Sequence, residues 1–148
     1  MVSLLNDYVK LLKTKNLKIT HHRLEILSYL DNHRDHPTAD EIFQHLKKKN
    51  PGLSRTTVYN NLETLSDAHI IQRLTICPTE HRYDFNHLMH HHFICKKCGS
   101  IIDIDFQCPT VSSIKKHVTS KGHQIDEVHG YFKGICKDCL DKQRRDEQ

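Results

Sequence analysis

Two Cys-x-x-Cys pairs, Cys95-Lys96-Lys97-Cys98 and Cys136-Lys137-Asp138-Cys139, are the residues whose type and spacing most directly imply chemistry. Each spacing sets two thiolates on one tight turn, which is half of a tetrahedral zinc site, and two such pairs complete a four-cysteine set. A lone pair would suit a redox dithiol equally well; the second pair favours structural zinc. Histidine supplies a different donor set. In His90-His91-His92, just before the first cysteine pair, an extended backbone would turn His90 and His92 to one side and His91 to the other. Asp84 and Asp103 lie near in sequence, and His36 lies farther toward the N-terminus. Three imidazoles with two carboxylates make a five-coordinate site of mixed nitrogen and oxygen ligands. Such a site suits Fe2+ or Mn2+ better than closed structural zinc, with Zn2+ as a competitor. Cys77 and Cys108 stand alone and read as small buried hydrophobes or inert thiols.

The elements that would position these groups change character along the chain. Residues 3–14 carry Leu4, Leu5, Tyr8, Val9, Leu11 and Leu12 as a helical stripe, with Ser3 as its expected N-cap. Thr20 is placed to cap a second helix, with Leu24, Leu27 and Leu30 recurring along it. Thr38-Ala39-Asp40-Glu41 has the capping-box pattern and opens a third helix burying Ile42, Phe43 and Leu46. After the turn at Asn50-Pro51-Gly52, Ser54 caps a fourth helix with Val58, Leu62 and Leu65 on one face.

The fourth helix begins with poor helix formers, Arg55, Thr56, Thr57, Tyr59 and Asn60. Helix propensity does not account for them, whereas a DNA-reading helix does. Arg, Asn and Thr side chains reach base edges, and hydroxyls and backbone amides reach phosphates. The segments Ile70–Ile76 and His81–Phe85 flank a turn near Pro78 and predict a hairpin, hence a winged helix. An ordinary helical bundle with one polar exposed helix fits the same composition. Farther on, Ile101–Ile104 and Tyr131–Ile135 read as strands and Val111–Ser120 as a helix between the cysteine pairs. Zinc would staple the ends of a lobe too small to be secure alone. The expected class is thus α+β, with a winged-helix DNA-binding domain over 1–85 and a small α/β domain with the four-cysteine zinc site over 86–148.

Composition sets the outer limits. Of 148 residues, 14 are histidine, several times the number expected from ordinary usage of about 2%. Eight of those histidines and five of the six cysteines follow residue 80, whereas charge is spread evenly over both halves. The net charge of +4 permits nucleic-acid binding without requiring it. Apolar runs are far shorter than the roughly 18–20 residues that span a bilayer. Charges interrupt the first eighteen residues, which therefore do not read as a secretory signal. The expectation is a cytoplasmic protein, in which clustered thiols serve metals rather than disulfides. A zinc hydrolase or deaminase is disfavoured: the helical His-Glu-x-x-His and the His-x-Glu with Pro-Cys-x-x-Cys patterns are absent, and Glu127 and Glu147 are the only glutamates after residue 80. The charged stretch Lys142–Gln148 has the look of a disordered tail.

Taken in order, these segments resemble the Fur family of metal-dependent bacterial repressors. The resemblance runs from about residue 8 to residue 140. It is carried by Leu17-Lys18-Ile19-Thr20, His36-Pro37-Thr38-Ala39-Asp40-Glu41-Ile42, Thr56-Thr57-Val58-Tyr59-Asn60-Asn61-Leu62, the run from His90 through Cys95 to Cys98-Gly99, and Gly134-Ile135-Cys136 to Cys139. It implies a non-enzymatic repressor that binds an inverted-repeat double-stranded operator as a homodimer, its second domain serving dimerisation. It also implies structural Zn2+ on Cys95, Cys98, Cys136 and Cys139. A regulatory Fe2+ or Mn2+ would sit on His36, Asp84, His90, His92 and Asp103, at the hinge between the lobes. The DNA-reading residues would be Arg55, Thr56, Thr57, Tyr59 and Asn60. A metal fixing the lobe angle would let the dimer's two reading helices enter major grooves about 34–36 Å apart.

Two positions lean toward the peroxide-responsive branch. Asp103 stands where iron regulators commonly carry Glu, and Asn60 where they often carry Arg. In that branch Fe2+ and H2O2 would oxidise His36 or His90 and release the operator. The alternative is a regulator of iron, zinc or manganese uptake with the same architecture. The family's additional metal site on the dimerisation domain is not expected here, because its positions read Met89, Thr110 and Val128, with His91, His123 and His129 out of register.

Overall fold

A computed structural model describes residues 2–75, 80–85, 91–104 and 131–146. The chain divides into two compact units, Met1–Leu88 and Met89–Gln148.

The first unit packs four helices, α1 (Val2–Thr14), α2 (His21–Asn32), α3 (Ala39–Lys49) and α4 (Arg55–Asp67), with an antiparallel pair, β1 (Gln72–Leu74) and β2 (Arg82–Asp84). The helix starts follow local side-chain chemistry. The Thr20 hydroxyl accepts from the Arg23 amide, and the Ser54 hydroxyl from the Thr57 amide. Thr38 and Glu41 form a complete capping box, the Glu41 carboxylate accepting from the Thr38 amide at 2.7 Å. Ser3 is not a cap, since α1 already begins at Val2 and Ser3 lies within its first turn.

Ile26, Leu27, Leu30, Ile42, Leu46, Val58, Leu62 and Leu65 are buried, and Tyr8 and Leu12 close the core from α1. Leu5, one turn before Tyr8, remains 48% exposed, so the apolar stripe of α1 is wider than the face it buries. Tyr8 also spans to α2, its hydroxyl donating to Asp31 at 2.7 Å.

In the second unit, β3 (His91–Cys95) is the centre of a three-stranded sheet, antiparallel to β4 (Ile101–Ile104) and parallel to β5 (Tyr131–Gly134). A final helix, α5, spans Lys137–Asp146. The tail expectation is thereby corrected: residues 142–146 continue the helix, with Arg144 paired to Asp141 and the Arg145 Nε donating to the Asp141 carbonyl. These i, i+3 and i, i+4 contacts give a charged sequence a local reason to stay helical. The expected helix at 111–120, the hairpin turn near Pro78, Cys77, Cys108 and the positions of the additional family site apart from His91 lie outside the described residues.

Candidate functional site

The four paired cysteines converge. Their sulfur atoms all lie within 4.8 Å of one another. The register explains how. Cys95 ends β3 opposite Gly134 at the end of β5, and the Lys96 amide donates to the Gly134 carbonyl at 2.7 Å. The second pair follows directly, with Cys136 between β5 and α5 and Cys139 in the first turn of α5.

Two glycines make this geometry possible. Gly99 has φ +75 in the turn after the first pair, where its amide donates to the Cys95 carbonyl at 2.9 Å. At Gly134 a Cβ would stand 2.8 Å from the Phe93 ring, so only glycine admits that ring beside the cysteines.

Backbone amides prepare the sulfurs. The Cys136 and Lys97 amides donate to the Cys95 sulfur at 3.3 and 3.4 Å. The amide of Cys136 is the chief reason that the Cys95 thiol is pulled down to about 6, with those of Cys98 and Lys97 adding to it. The hydroxyl of Ser100, 3.1 Å from the Cys98 sulfur, is the first cause of a lowered value there. Cys139 goes the other way, to about 12, chiefly because it shares a hydrogen bond with Cys136 and secondarily because it is buried. Crowded sulfurs with opposite proton affinities are what four thiolates would resolve around one dication, since metal binding expels the shared protons. Ser100 was not singled out in the sequence, and its place directly after Cys98-Gly99 is the signal that could have marked it.

The nitrogen and oxygen donors fall into both units. In the first, an isolated antiparallel bridge joins Thr38 to Arg82, and the Tyr83 amide donates to the Pro37 carbonyl at 3.0 Å. Thr38 and Pro37, just before α3, thus lie along β2, the strand that ends in Asp84. His36 and Asp84 are both buried, His36 at 1% exposure and Asp84 at 3%. His36 has φ +55, a left-handed backbone that a non-glycine residue adopts at a cost of order 1–3 kcal/mol. Arg82 Nη1 donates to the His36 carbonyl at 3.2 Å and helps hold that conformation.

In the second unit His92 pairs across the strands with Asp103, and His92 Nε2 is 3.7 Å from the Asp103 carboxylate. His92 is buried, and His91 turns to the other side, where its ring meets Phe132 edge-on at 5.8 Å. The expected alternation is therefore present over the described pair, while His90 lies outside the described residues.

On α4, Arg55, Thr56, Tyr59 and Asn60 are exposed. Thr57 is half-buried and its hydroxyl is engaged with that of Ser54 at 2.8 Å, so it serves the helix cap first. Arg55 is paired with Asp40 of α3 and lies over the Phe43 ring, 5.0 Å from its centroid. Asp40 and Arg82 are thus neighbours of the expected functional residues that the sequence pattern did not expose. No helix among the described residues is long and apolar enough to cross a membrane.

This arrangement has close counterparts. The ferric uptake regulator family matches residues 14–132. The chain is 38% identical over 141 residues to the peroxide-responsive repressor PerR of Staphylococcus epidermidis, covering 93% of this chain and 91% of that protein. Among solved structures, the Campylobacter jejuni peroxide stress regulator has a TM-score of 0.66 at 32% identity, over 88% of this chain and 98% of that one. The ferric uptake regulator of Francisella tularensis with iron has a TM-score of 0.65 at 31% identity, over 84% and 95%. The chain belongs to the ferric uptake regulator family, whose members are transcriptional repressors and not enzymes. The α+β class read from the sequence holds, with helices first and a sheet bearing the four cysteines second.

Proposed function

We propose that this chain is a metal-dependent, DNA-binding repressor of the peroxide-responsive type, acting in the cytoplasm as a homodimer on an inverted-repeat operator. The observation that carries the reading is the separation of donor chemistry. Four sulfurs converge on one another, whereas buried His36 with Asp84, and His92 with Asp103, offer nitrogen and oxygen. Likeness to peroxide-responsive repressors over 93% of the chain supports the same reading.

The all-sulfur set suits Zn2+ in a closed structural role. The mixed set of His36, Asp84, His90, His92 and Asp103, drawn from both units, suits Fe2+ or Mn2+ as the regulatory ion. A donor set divided in this way couples metal occupancy to the relation between the units, and so to how α4 meets DNA. Arg55, Thr56, Tyr59 and Asn60 would make the contacts to bases and phosphates, with Thr57 presenting the helix start.

Bound Fe2+ would supply activation of the O–O bond of H2O2, the two electrons that reduce the peroxide coming from the imidazole. One oxygen of the peroxide would replace a ring hydrogen of His36 or His90, the other leaving as water. The altered imidazole would be a poorer ligand, and operator affinity would fall with the metal. Mn2+ would support binding without this sensitivity.

The test compares operator affinity of the Fe2+ and Mn2+ proteins before and after H2O2, with peptide mass spectrometry of His36 and His90. The expected result is a one-oxygen mass gain and operator release in the Fe2+ form alone. Retained DNA binding with unaltered histidines after peroxide would replace this reading with a metal-uptake regulator of the same family.

A further inference from the structure

The helical unit contains a second histidine cluster that the proposed function does not use. Three rings meet where α2 ends. His33, the C-cap of α2, stacks on Tyr29 with centroids 3.9 Å apart and planes 15° from parallel. His45 of α3 lies 4.6 Å from the Tyr29 ring and 5.5 Å from the His33 ring.

The hydrogen bonding of His33 fixes its chemistry. Its Nδ1 is 2.7 Å from the Tyr29 carbonyl oxygen. A carbonyl can only accept, so Nδ1 carries a hydrogen, and in the neutral imidazole the lone pair is then on Nε2. Histidines that bind metals are oriented in the same way, one ring nitrogen donating to a backbone carbonyl while the other faces the ion.

The surroundings of His45 favour its neutral form. Burial lowers its proton affinity first, and the neighbouring Lys49 and Lys48 ammonium groups are among those that lower it further. Two imidazoles bonded to one tetrahedral ion at about 2.0–2.1 Å have centroids roughly 5–5.5 Å apart. The His33–His45 centroid separation of 5.5 Å falls in that range.

The surroundings leave room and a suitable field. The rings line an open groove of about 520 Å³ between α2 and α3, with His21, Glu25 and Ser28 along the same helix face. Water can occupy the remaining coordination positions. The C-terminal end of a helix carries partial negative charge from its unpaired carbonyls, and His33 sits at that end of α2. Asp35 and Glu41 add negative charge near Tyr29, while Lys48 and Lys49 oppose it. The balance favours a weak, exchangeable ion over a structural one.

We propose that His33 and His45 form a labile two-histidine site for a borderline divalent cation (Zn2+, Ni2+ or Cu2+), bound through His33 Nε2 and one ring nitrogen of His45. Neutral imidazole selects this class over Mg2+ or Ca2+. Occupancy would tie the C-terminal end of α2 to α3 and raise the thermal stability of the helical unit with the logarithm of cation concentration above the Kd. The site stands on the helical unit alone and is independent of the peroxide reading.

The experiment uses Ni2+ as the probe and the zinc-loaded full chain, as wild type and with His36→Ala to remove a regulatory ligand. Paramagnetic Ni2+ is expected to broaden the His33 and His45 ring resonances below one equivalent in the His36→Ala protein, and in the wild type between one and two equivalents, once the regulatory set is filled. His33→Gln and His45→Gln, each in the His36→Ala background, should bind one Ni2+ fewer per chain, with the Ni2+-free melting temperature kept within a few degrees of the parent. Sharp His33 and His45 signals through two added equivalents, or equal Ni2+ counts in parent and variants, would overturn the proposal.

Discussion

The two units of this chain are stabilised by different means. In the helical unit, residues from all four helices and the β1–β2 pair share one apolar cluster, in which Leu12, Ile26, Leu27, Ile42, Leu62 and Leu65 have no solvent exposure. Among the described residues of the second unit, the buried cluster is Cys95, Cys136 and Cys139 with Phe93 against it. One unit removes hydrocarbon from water, worth roughly 25 cal/mol per Å². The described part of the other gathers sulfurs, whose binding of a cation would act as folding energy. The contrast teaches that, among the described residues of the second unit, Cys95, Cys136 and Cys139 are a buried cluster as well as candidate ligands.

Removing a sulfur ligand should break the comparison most sharply. Cys95→Ser would leave an incomplete site, and apparent zinc-binding energies of about 10–16 kcal/mol at such sites act as folding energy. The expected outcome is loss of zinc, with amide exchange protection lost across β3, β4 and β5 but kept in α2, α3 and α4. Protection retained in the sheet would show that apolar packing suffices there.

The reciprocal change is smaller and falls on the other unit. Leu62→Ala opens a cavity in the helical core, with an expected cost of about 2–5 kcal/mol. Chemical denaturation should report that loss, while zinc analysis should read the same stoichiometry as the wild type.

A finer test concerns a buried phenol tied to a carboxylate in the helical core. Burial, and then the hydrogen bond to Asp31, push Tyr8 up to about 12. Because the folded-state value is raised, its stabilising contribution is complete below the ordinary tyrosine value near 10. It is lost as pH rises through about 12. Tyr8→Phe should cost about 1.5 kcal/mol at neutral pH. The gap between variant and wild type should close between pH 10 and 12 in melting experiments, with no change in zinc content.

Legibility in the sequence followed the range of the interaction. The caps at Thr20, Thr38 and Ser54 were readable because donor and acceptor lie three residues apart. The cysteine pairs were readable for the same reason, and two of them together implied a four-sulfur site without any knowledge of the strands between. The stripe of α1 was readable as a helix, but that Tyr8 and Leu12 are buried while Leu5 is not depends on what α2 offers opposite. Residues 142–146 read as a tail from composition, which weighs charge and overlooks the i, i+4 contacts that a helix makes from it.

The identity of the donors and their division into a sulfur set and a nitrogen–oxygen set were determined by the sequence alone, since residue type sets ligand chemistry and local spacing sets which thiolates share a turn. Tertiary structure decided the rest. It laid Pro37 and Thr38 along β2, which brought the His36 carbonyl to Arg82 over a long span of chain, with His36 in a left-handed backbone. It brought Cys136 to Cys95 through the parallel pairing of β3 and β5, where glycine leaves space for Phe93. It also placed His33 beside His45 across two helices. The physical reason is common to all three. Helix capping and turn geometry are satisfied within a few residues, whereas strand register and helix packing are settled by contacts among residues that no local pattern links.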